Sequence, residues 1–308
     1  MTESVNLSTM VADMTHLFEA AVSRKAELRI DIAADLPTIE GDPALLREMI
    51  MNLIRNASRS LDGGDGRITV RTGVIDADRT YLVQTYLGEG LEEGHYASVE
   101  VSDTGSGMDR ETQERAFEPF FKGGFGGRGL GLATVMETVR SHMGAIKLYS
   151  ELGQGTRFRI FFPCQPPSGE RAAGGDNDAI RTLREGGTVL VIDDEEIVRA
   201  VTVQVLEGIG FRALTAVDGQ NGVDMFQAHA EEIDVVLLDM TMPYLSGEEV
   251  FREIKQVRED VVVILSSGYD EQDAYEQFTE KGIAGFLQKP YRAQDLVRRL
   301  QEVLPGSR

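Results

Sequence analysis

The sequence predicts two domains: an α+β sandwich with helices on one face of a sheet, then a doubly wound α/β domain on a five-stranded parallel sheet. Three observations predict this. The chain has 308 residues, enough for two cores. Its first half mixes alternating strand patterns with amphipathic helices around two glycine-rich loops. Its second half repeats strand and helix five times, with unbroken apolar strands of the kind buried on both faces. The expected boundaries are 1–163 for the first domain, 164–186 for a Gly/Pro-rich flexible linker and 187–308 for the second domain.

In the first domain, residues 6–22 read as a short strand and an amphipathic helix, and ELRIDIA as an alternating strand. Asp42 caps a helix whose first residue is Pro43. Its apolar stripe is Leu46, Met49, Ile50, Leu53, Ile54, Ala57 and Leu61. Strands follow near 67–75 and 97–102, then a helix over about 129–143 and a hairpin of 145–150 with 156–162.

The composition narrows the function. A net charge of −20 disfavours a nucleic-acid partner. No apolar run reaches the ~20 residues that span a bilayer, and no signal pattern is visible, so a cytoplasmic chain without membrane contact is expected. A single cysteine, Cys164, excludes an internal disulfide. The four histidines have no metal spacing. His95, His142 and His229 lack a partner pattern and are read as structural.

Residues 99–135 organise the chemistry of the first half. An Asp-x-Gly-x-Gly turn (Asp103, Gly105, Gly107) closes a strand, and a second glycine run (Gly127, Gly129, Gly131) opens a helix. Glycines at a helix N-terminus let backbone N–H groups approach a phosphate chain, which the helix dipole favours. An ionised Asp103 only accepts hydrogen bonds, which suits an exocyclic amine and repels phosphate. One loop for a base and one for phosphates implies a nucleotide. Asn52 and Asn56 lie one turn apart on the upstream helix and share a face. An amide oxygen there suits Mg²⁺ bridging substrate phosphates.

NLIRNAS, DTGSGM, FEPFF, GRGLGL and GQGT resemble, in order, the N, G1, F, G2 and G3 boxes of the histidine kinase ATP-binding domain. The resemblance covers roughly residues 6–163. It implies the Bergerat-type fold of gyrase-, Hsp90- and MutL-type ATPases, with ATP and Mg²⁺ as cofactors. It assigns Asn56 to the metal, Asn52 to the phosphates and Asp103, Gly105 and Gly107 to the adenine pocket. Lys122, Gly127, Arg128, Gly129, Gly131, Leu132 and Thr156 are its remaining nucleotide contacts. Hydrolysing relatives carry a glutamate at the position of Asn52, so an amide there fits transfer to a protein side chain better than hydrolysis. The lid reads KGGFGGRG: Lys122 is displaced, and Gly124 stands where a lid lysine is common. No phosphoacceptor-histidine box is present. His16, in MTHLFEA, lacks the acidic neighbour and proline of that motif.

In the second half, TVLVIDD ends at Asp193 and Asp194, DVVLLDM at Asp239, VVVILSSG at Ser266 and GFLQKP at Lys289. A strand near 212–216 makes five. Functional groups of such sheets gather beyond the strands' C-terminal ends. Three adjacent carboxylates repel one another and are relieved by protonation or a cation, and Mg²⁺ is the natural one. Asp239 is then a nucleophile beside a Lewis acid, with Lys289 and Ser266 free to meet phosphoryl oxygens. This half resembles a response-regulator receiver domain, of flavodoxin-like fold, over about residues 187–304. By that resemblance Asp239 is the phosphoacceptor, and Asp193, Asp194 and the Thr241 carbonyl hold the metal. Ser266 and Phe286 are the switch pair, Lys289 completes the site, and Lys289–Pro290 is cis.

Together these features predict the catalytic ATP domain and receiver of a hybrid sensor histidine kinase, lacking the sensor and histidine helices. Its expected partners are a histidine-bearing dimerisation domain or histidine phosphotransfer protein, and a downstream response regulator. The chain is expected not to phosphorylate itself on histidine. Two other readings stay open: a non-catalytic ATP-sensing and receiver module, and a stand-alone ATPase.

Overall fold

The computed structural model describes residues 2–23, 25–121, 129–165, 187–240, 242, 244–267 and 282–304. The chain divides into two compact units, residues 1–77 with 85–172 and residues 78–84 with 173–308. No helix among the described residues is long and apolar enough to cross a membrane.

The first unit opens with strand β1 (Glu3–Val5) and helices α1 (Leu7–Asp13) and α2 (Thr15–Ala21), then strands β2 (Ala26–Asp31) and β3 (Ile39–Gly41). The pattern read as one helix is thus two, broken at Met14, and β3 pairs antiparallel with β1 as a separate ribbon. Helix α3 (Pro43–Ser60) starts as its capping signal dictates: Asp42 Oδ1 accepts from the N–H groups of Ala44 and Leu45. Strands β4 (Gly66–Ala77) and β5 (Gly94–Asp103) follow, then helices α5 (Arg110–Arg115) and α6 (Gly131–Ser141) and strands β6 (Ala145–Glu151) and β7 (Gly155–Pro163). Between β4 and β5 runs a short helix, α4 (Arg79–Val83). The sheet order is β2-β4-β5-β7-β6, with only the β2–β4 pair parallel.

One face of this sheet packs on α3 and α6. Leu46, Met49, Ile50, Leu53, Ile54 and Ala57 of α3 are buried with Ile68, Val70, Val99, Val101, Ile146, Phe158 and Ile160 of the strands. Each fully buried aliphatic side chain contributes about 1.5–3 kcal/mol relative to exposure. Asn52 and Asn56, half-buried beside that stripe, lie next to Gly131 at the start of α6. The three phenylalanines of the FEPFF stretch do not cluster. Phe117 packs edge-on against Tyr86 and Phe158, Arg115 lies over Phe121, and Phe120 is exposed.

The second unit alternates β8 (Thr188–Ile192), α7 (Glu196–Gly208), β9 (Arg212–Ala216), α8 (Gly219–His229), β10 (Val235–Asp239), α9 (Gly247–Val257), β11 (Val262–Ser267), β12 (Gly285–Gln288) and α10 (Ala293–Val303). Residues 268–281, between β11 and β12, lie outside the described residues. The sheet is parallel throughout, in the order β12-β11-β10-β8-β9. Leu190 and Ile192 face one core, Val189 and Val191 the other, so TVLVI is buried on both faces. Residues 78–84 fold with this unit. Asp78 caps α4 at Tyr81 N–H and accepts from Ala293 N–H at the start of α10, while the Gln84 amide pairs with both backbone groups of Tyr291.

Candidate functional site

In the first unit the register of three strands places Asp103. It ends β5, opposite Ile68 on β4 and Thr156 on β7. Its Oδ1 accepts from Gly105 N–H at 2.9 Å and from the Ser60 hydroxyl at 2.7 Å. The Ser60 oxygen also lies 2.8 Å from the Ala57 carbonyl. A hydroxyl has one proton, and the carboxylate is the stronger acceptor. Burial pushes the Asp103 carboxyl above the usual aspartate range, against the Ser60 hydroxyl and the Gly105 and Thr156 amides, which pull it down.

The glycines of this turn are required by their surroundings. A Cβ at Gly105 would lie 2.6 Å from the Ser60 backbone, and one at Gly107, at φ +65°, would overlap the Glu151 carbonyl. Ser150 ties the turn to the hairpin: its hydroxyl accepts from Met108 N–H at 2.8 Å and meets Thr156 Oγ1 at 2.8 Å.

The start of α6 meets α3 at the two asparagines. A Cβ at Gly131 would lie 3.9 Å from Asn52 Cγ and 3.9 Å from both terminal atoms of Asn56, so the helix start and the two asparagines converge. The N-cap residue of α6, Leu130, makes no side-chain cap, and a helix N-terminus of this kind favours an anion. Leu132 lies in that first turn. Gly129, at φ +68°, packs against the Phe120 backbone. Lys122, Gly124, Gly127 and Arg128 lie outside the described residues.

Sequence reasoning missed Ser60 and Ser150. Ser60 lies eight residues past Asn52 and looks like a helix C-terminal polar residue. Only the fold shows that it meets Asp103. Ser60→Ala is expected to weaken nucleotide binding about tenfold, since one hydrogen bond to a buried carboxylate is worth about 1.5 kcal/mol. Titration with a fluorescent ATP analogue checks this; unchanged affinity would remove Ser60 from the site.

In the second unit the strand ends bring the acidic pocket together. Carboxylate oxygens of Asp193, Asp194 and Asp239 lie within 4.8 Å of one another. Lys289, at the end of β12, bridges two of them, with Nζ 2.7 Å from Asp193 Oδ2 and 2.8 Å from Asp239 Oδ2. Burial alone would lower the Lys289 pKa. The two carboxylates outweigh it and hold the ammonium well above the ordinary lysine value. Lys289 N–H donates to the Ser267 carbonyl, and the Lys289–Pro290 bond is cis.

Asp239 pairs with Ser266 across β10 and β11, and Leu265 pairs with Phe286. The Ser266 hydroxyl is buried without a hydrogen-bond partner among the described residues, and the Phe286 ring is in the core. An unsatisfied buried hydroxyl costs about 1–3 kcal/mol. Arg199, which carried no sequence signal, donates from Nη1 to the Asp193 carbonyl at 2.6 Å and so steadies one carboxylate's backbone. Thr241 lies outside the described residues. Three carboxylates offer the hard oxygen donors that Mg²⁺ takes, so the residues present fit that ion.

The family model of the histidine kinase-, DNA gyrase B- and HSP90-like ATPase matches residues 41–166, and that of the response regulator receiver domain matches residues 189–301. Sensor kinase CckA of Brucella abortus is 30% identical over 98% of this chain and 32% of its own length. Sensor histidine kinase AruS of Pseudomonas aeruginosa is 27% identical over 97% of this chain and 29% of its own. Autoinducer 1 sensor kinase/phosphatase LuxN of Vibrio harveyi is 27% identical over 80% of this chain and 29% of its own. The chain thus spans about a third of the length of these curated relatives. A solved structure of full-length ShkA in complex with AMPPNP matches at 25% identity and a TM-score of 0.43, over 99% of this chain and 58% of that one. Two cradles, one at an asparagine helix and one at a lysine-bridged aspartate pocket, coincide with the two matched spans: the chain joins a histidine kinase-type ATPase domain to a receiver domain, as hybrid sensor histidine kinases do.

Proposed function

We propose that the first domain binds ATP with Mg²⁺ and transfers the γ-phosphoryl group to a histidine on a separate helix, and that the receiver takes the group onto Asp239. Asp103 accepts the adenine amine, with Gly105 and Gly107 shaping the pocket. Asn52, Gly127, Arg128, Gly129, Gly131, Leu132 and the lid's Lys122 hold the phosphates, Asn56 holds the metal, and Thr156, opposite Asp103 in the β5–β7 register, lines the base side. In the receiver, Asp193, Asp194, Asp239 and the Thr241 carbonyl hold Mg²⁺, which when bound supplies charge to offset the phosphoryl oxygens. Lys289 neutralises the same oxygens, Ser266 donates to one, and Phe286 repacks with it. The Asp239 carboxylate attacks phosphorus, the bond to the phosphohistidine nitrogen breaks, and the imidazole keeps that electron pair.

The observation that carries this reading is Asp239, seated 2.8 Å from the Lys289 ammonium in a cluster of three carboxylates. The partners are a histidine-bearing dimerisation domain or a histidine phosphotransfer protein, and a downstream response regulator. The test supplies such a histidine domain with labelled ATP and Mg²⁺. Acid-labile label on its histidine, followed by base-labile label on Asp239, is the expected pattern. Unchanged ATP binding with an unlabelled histidine would favour a regulatory ATP sensor. Turnover without any acceptor would favour an ATPase.

A further inference from the structure

We infer that His142 is a positioning residue for nucleotide binding, a neutral imidazole that pins the end of α6 to the start of α3 and thereby sets the gap between Gly131 and the two asparagines. The inference rests on the proposed ATP site.

The two ring nitrogens face opposite chemistry. Nδ1 lies 2.7 Å from the Thr138 carbonyl, which only accepts, so Nδ1 carries the proton. Nε2 lies 2.9 Å from the Asp42 N–H, which only donates, so Nε2 presents its lone pair. The partners thus select one charge state and one tautomer. The Phe162 ring backs the imidazole edge-on at 5.9 Å between centroids. Gly41 gives it room, for a Cβ there would lie 2.8 Å from His142 Cδ2.

The pin is placed to act at a distance. Asp42 precedes the first turn of α3, and Asn52 and Asn56 follow about three to four turns later on the same helix. His142 follows α6 at its far end, and Gly131 opens it at the near end. The helices therefore run antiparallel, tied by His142 at one end and meeting the nucleotide at the other. Slippage at the tied end is transmitted along two rigid helices to the phosphate cradle.

The test compares the whole chain with His142→Gln, His142→Asn and Phe162→Leu, measuring the affinity for a fluorescent ATP analogue with Mg²⁺ and the melting temperature without nucleotide. Glutamine can place an acceptor where Nε2 stands; the shorter asparagine reaches only the Nδ1 position. His142→Gln is expected to bind within about threefold of wild type and His142→Asn about tenfold more weakly, the size of one lost hydrogen bond. Phe162→Leu, a packing change beside the same ring, is expected to lower the melting temperature with affinity kept. Equal affinities of the glutamine and asparagine variants, or a loss in Phe162→Leu that matches its fall in melting temperature, would overturn the inference alone. A wild-type chain that binds no nucleotide would overturn the ATP reading and this inference with it. Ring ¹⁵N spectra give a readout free of nucleotide: a proton on Nε2 of His142 would also overturn it.

Discussion

Replacing Asp103 with asparagine is expected to cost about 100-fold in ATP affinity while leaving the fold at neutral pH as stable as before or more so. The two effects have different causes. Asparagine retains an oxygen for the Ser60 hydroxyl and Gly105 N–H, both now on Oδ1. It replaces the other acceptor with an NH₂ group, which meets the adenine amine donor to donor. Losing a hydrogen bond to a charged group costs up to about 3 kcal/mol, or roughly 100-fold. Stability moves the other way because burial raises the Asp103 carboxyl. A raised acid favours the fold most below its unfolded pKa, and that contribution is lost as pH rises through the folded value. Asparagine carries no such loss, so the variant's advantage should appear at neutral pH and vanish on acidification. Wild-type ATP affinity should fall as pH drops through the same raised value, where the variant's stays flat. Inosine triphosphate, with a carbonyl in place of the amine, should gain on ATP in the variant. An Asp103→Asn protein with wild-type ATP affinity would remove Asp103 from the base site.

Replacing Lys289 with methionine is expected to destabilise the receiver by about 3–5 kcal/mol without divalent cations, the cost of removing one partner from a buried ion pair. Lys289, Asp193 and Asp239 each have side chains at most 7% exposed. Without the ammonium, three carboxylates within 4.8 Å repel in a poorly solvated pocket. For a domain of this size the melting temperature should drop by about 10 °C or more in EDTA. Mg²⁺ should restore part of it, because a divalent ion can replace the lost positive charge among the same oxygens. Thermal melts of both proteins across a Mg²⁺ titration check this. A Lys289→Met protein whose melting temperature ignores Mg²⁺ would mean the carboxylates do not hold the ion.

Both expectations concern groups visible in the sequence, and so did most of the architecture. Strands and helices with strong periodicity, such as α3 with its Asp42-Pro43 start, stand where the pattern placed them. The five receiver strands are all present, and Asp193, Asp239, Ser266 and Lys289 lie at or just beyond the C-terminal ends of β8, β10, β11 and β12. Weaker signals misled where tertiary context outweighed local preference. The apolar stripe from Leu7 to Phe18 hid the break at Met14. The 78–84 segment carried no sign that it folds with the second unit.

The two folds, the order of the glycine loops and the chemical type of the strand-end groups follow from local pattern, because hydrophobic periodicity and turn chemistry act over neighbouring residues. Long-range packing alone establishes which groups support them: Ser60 on Asp103, Arg199 on the Asp193 carbonyl, His142 between α6 and Asp42. Those contacts join residues far apart in the chain through single hydrogen bonds, and a single hydrogen bond leaves no period in a sequence for a reader to find.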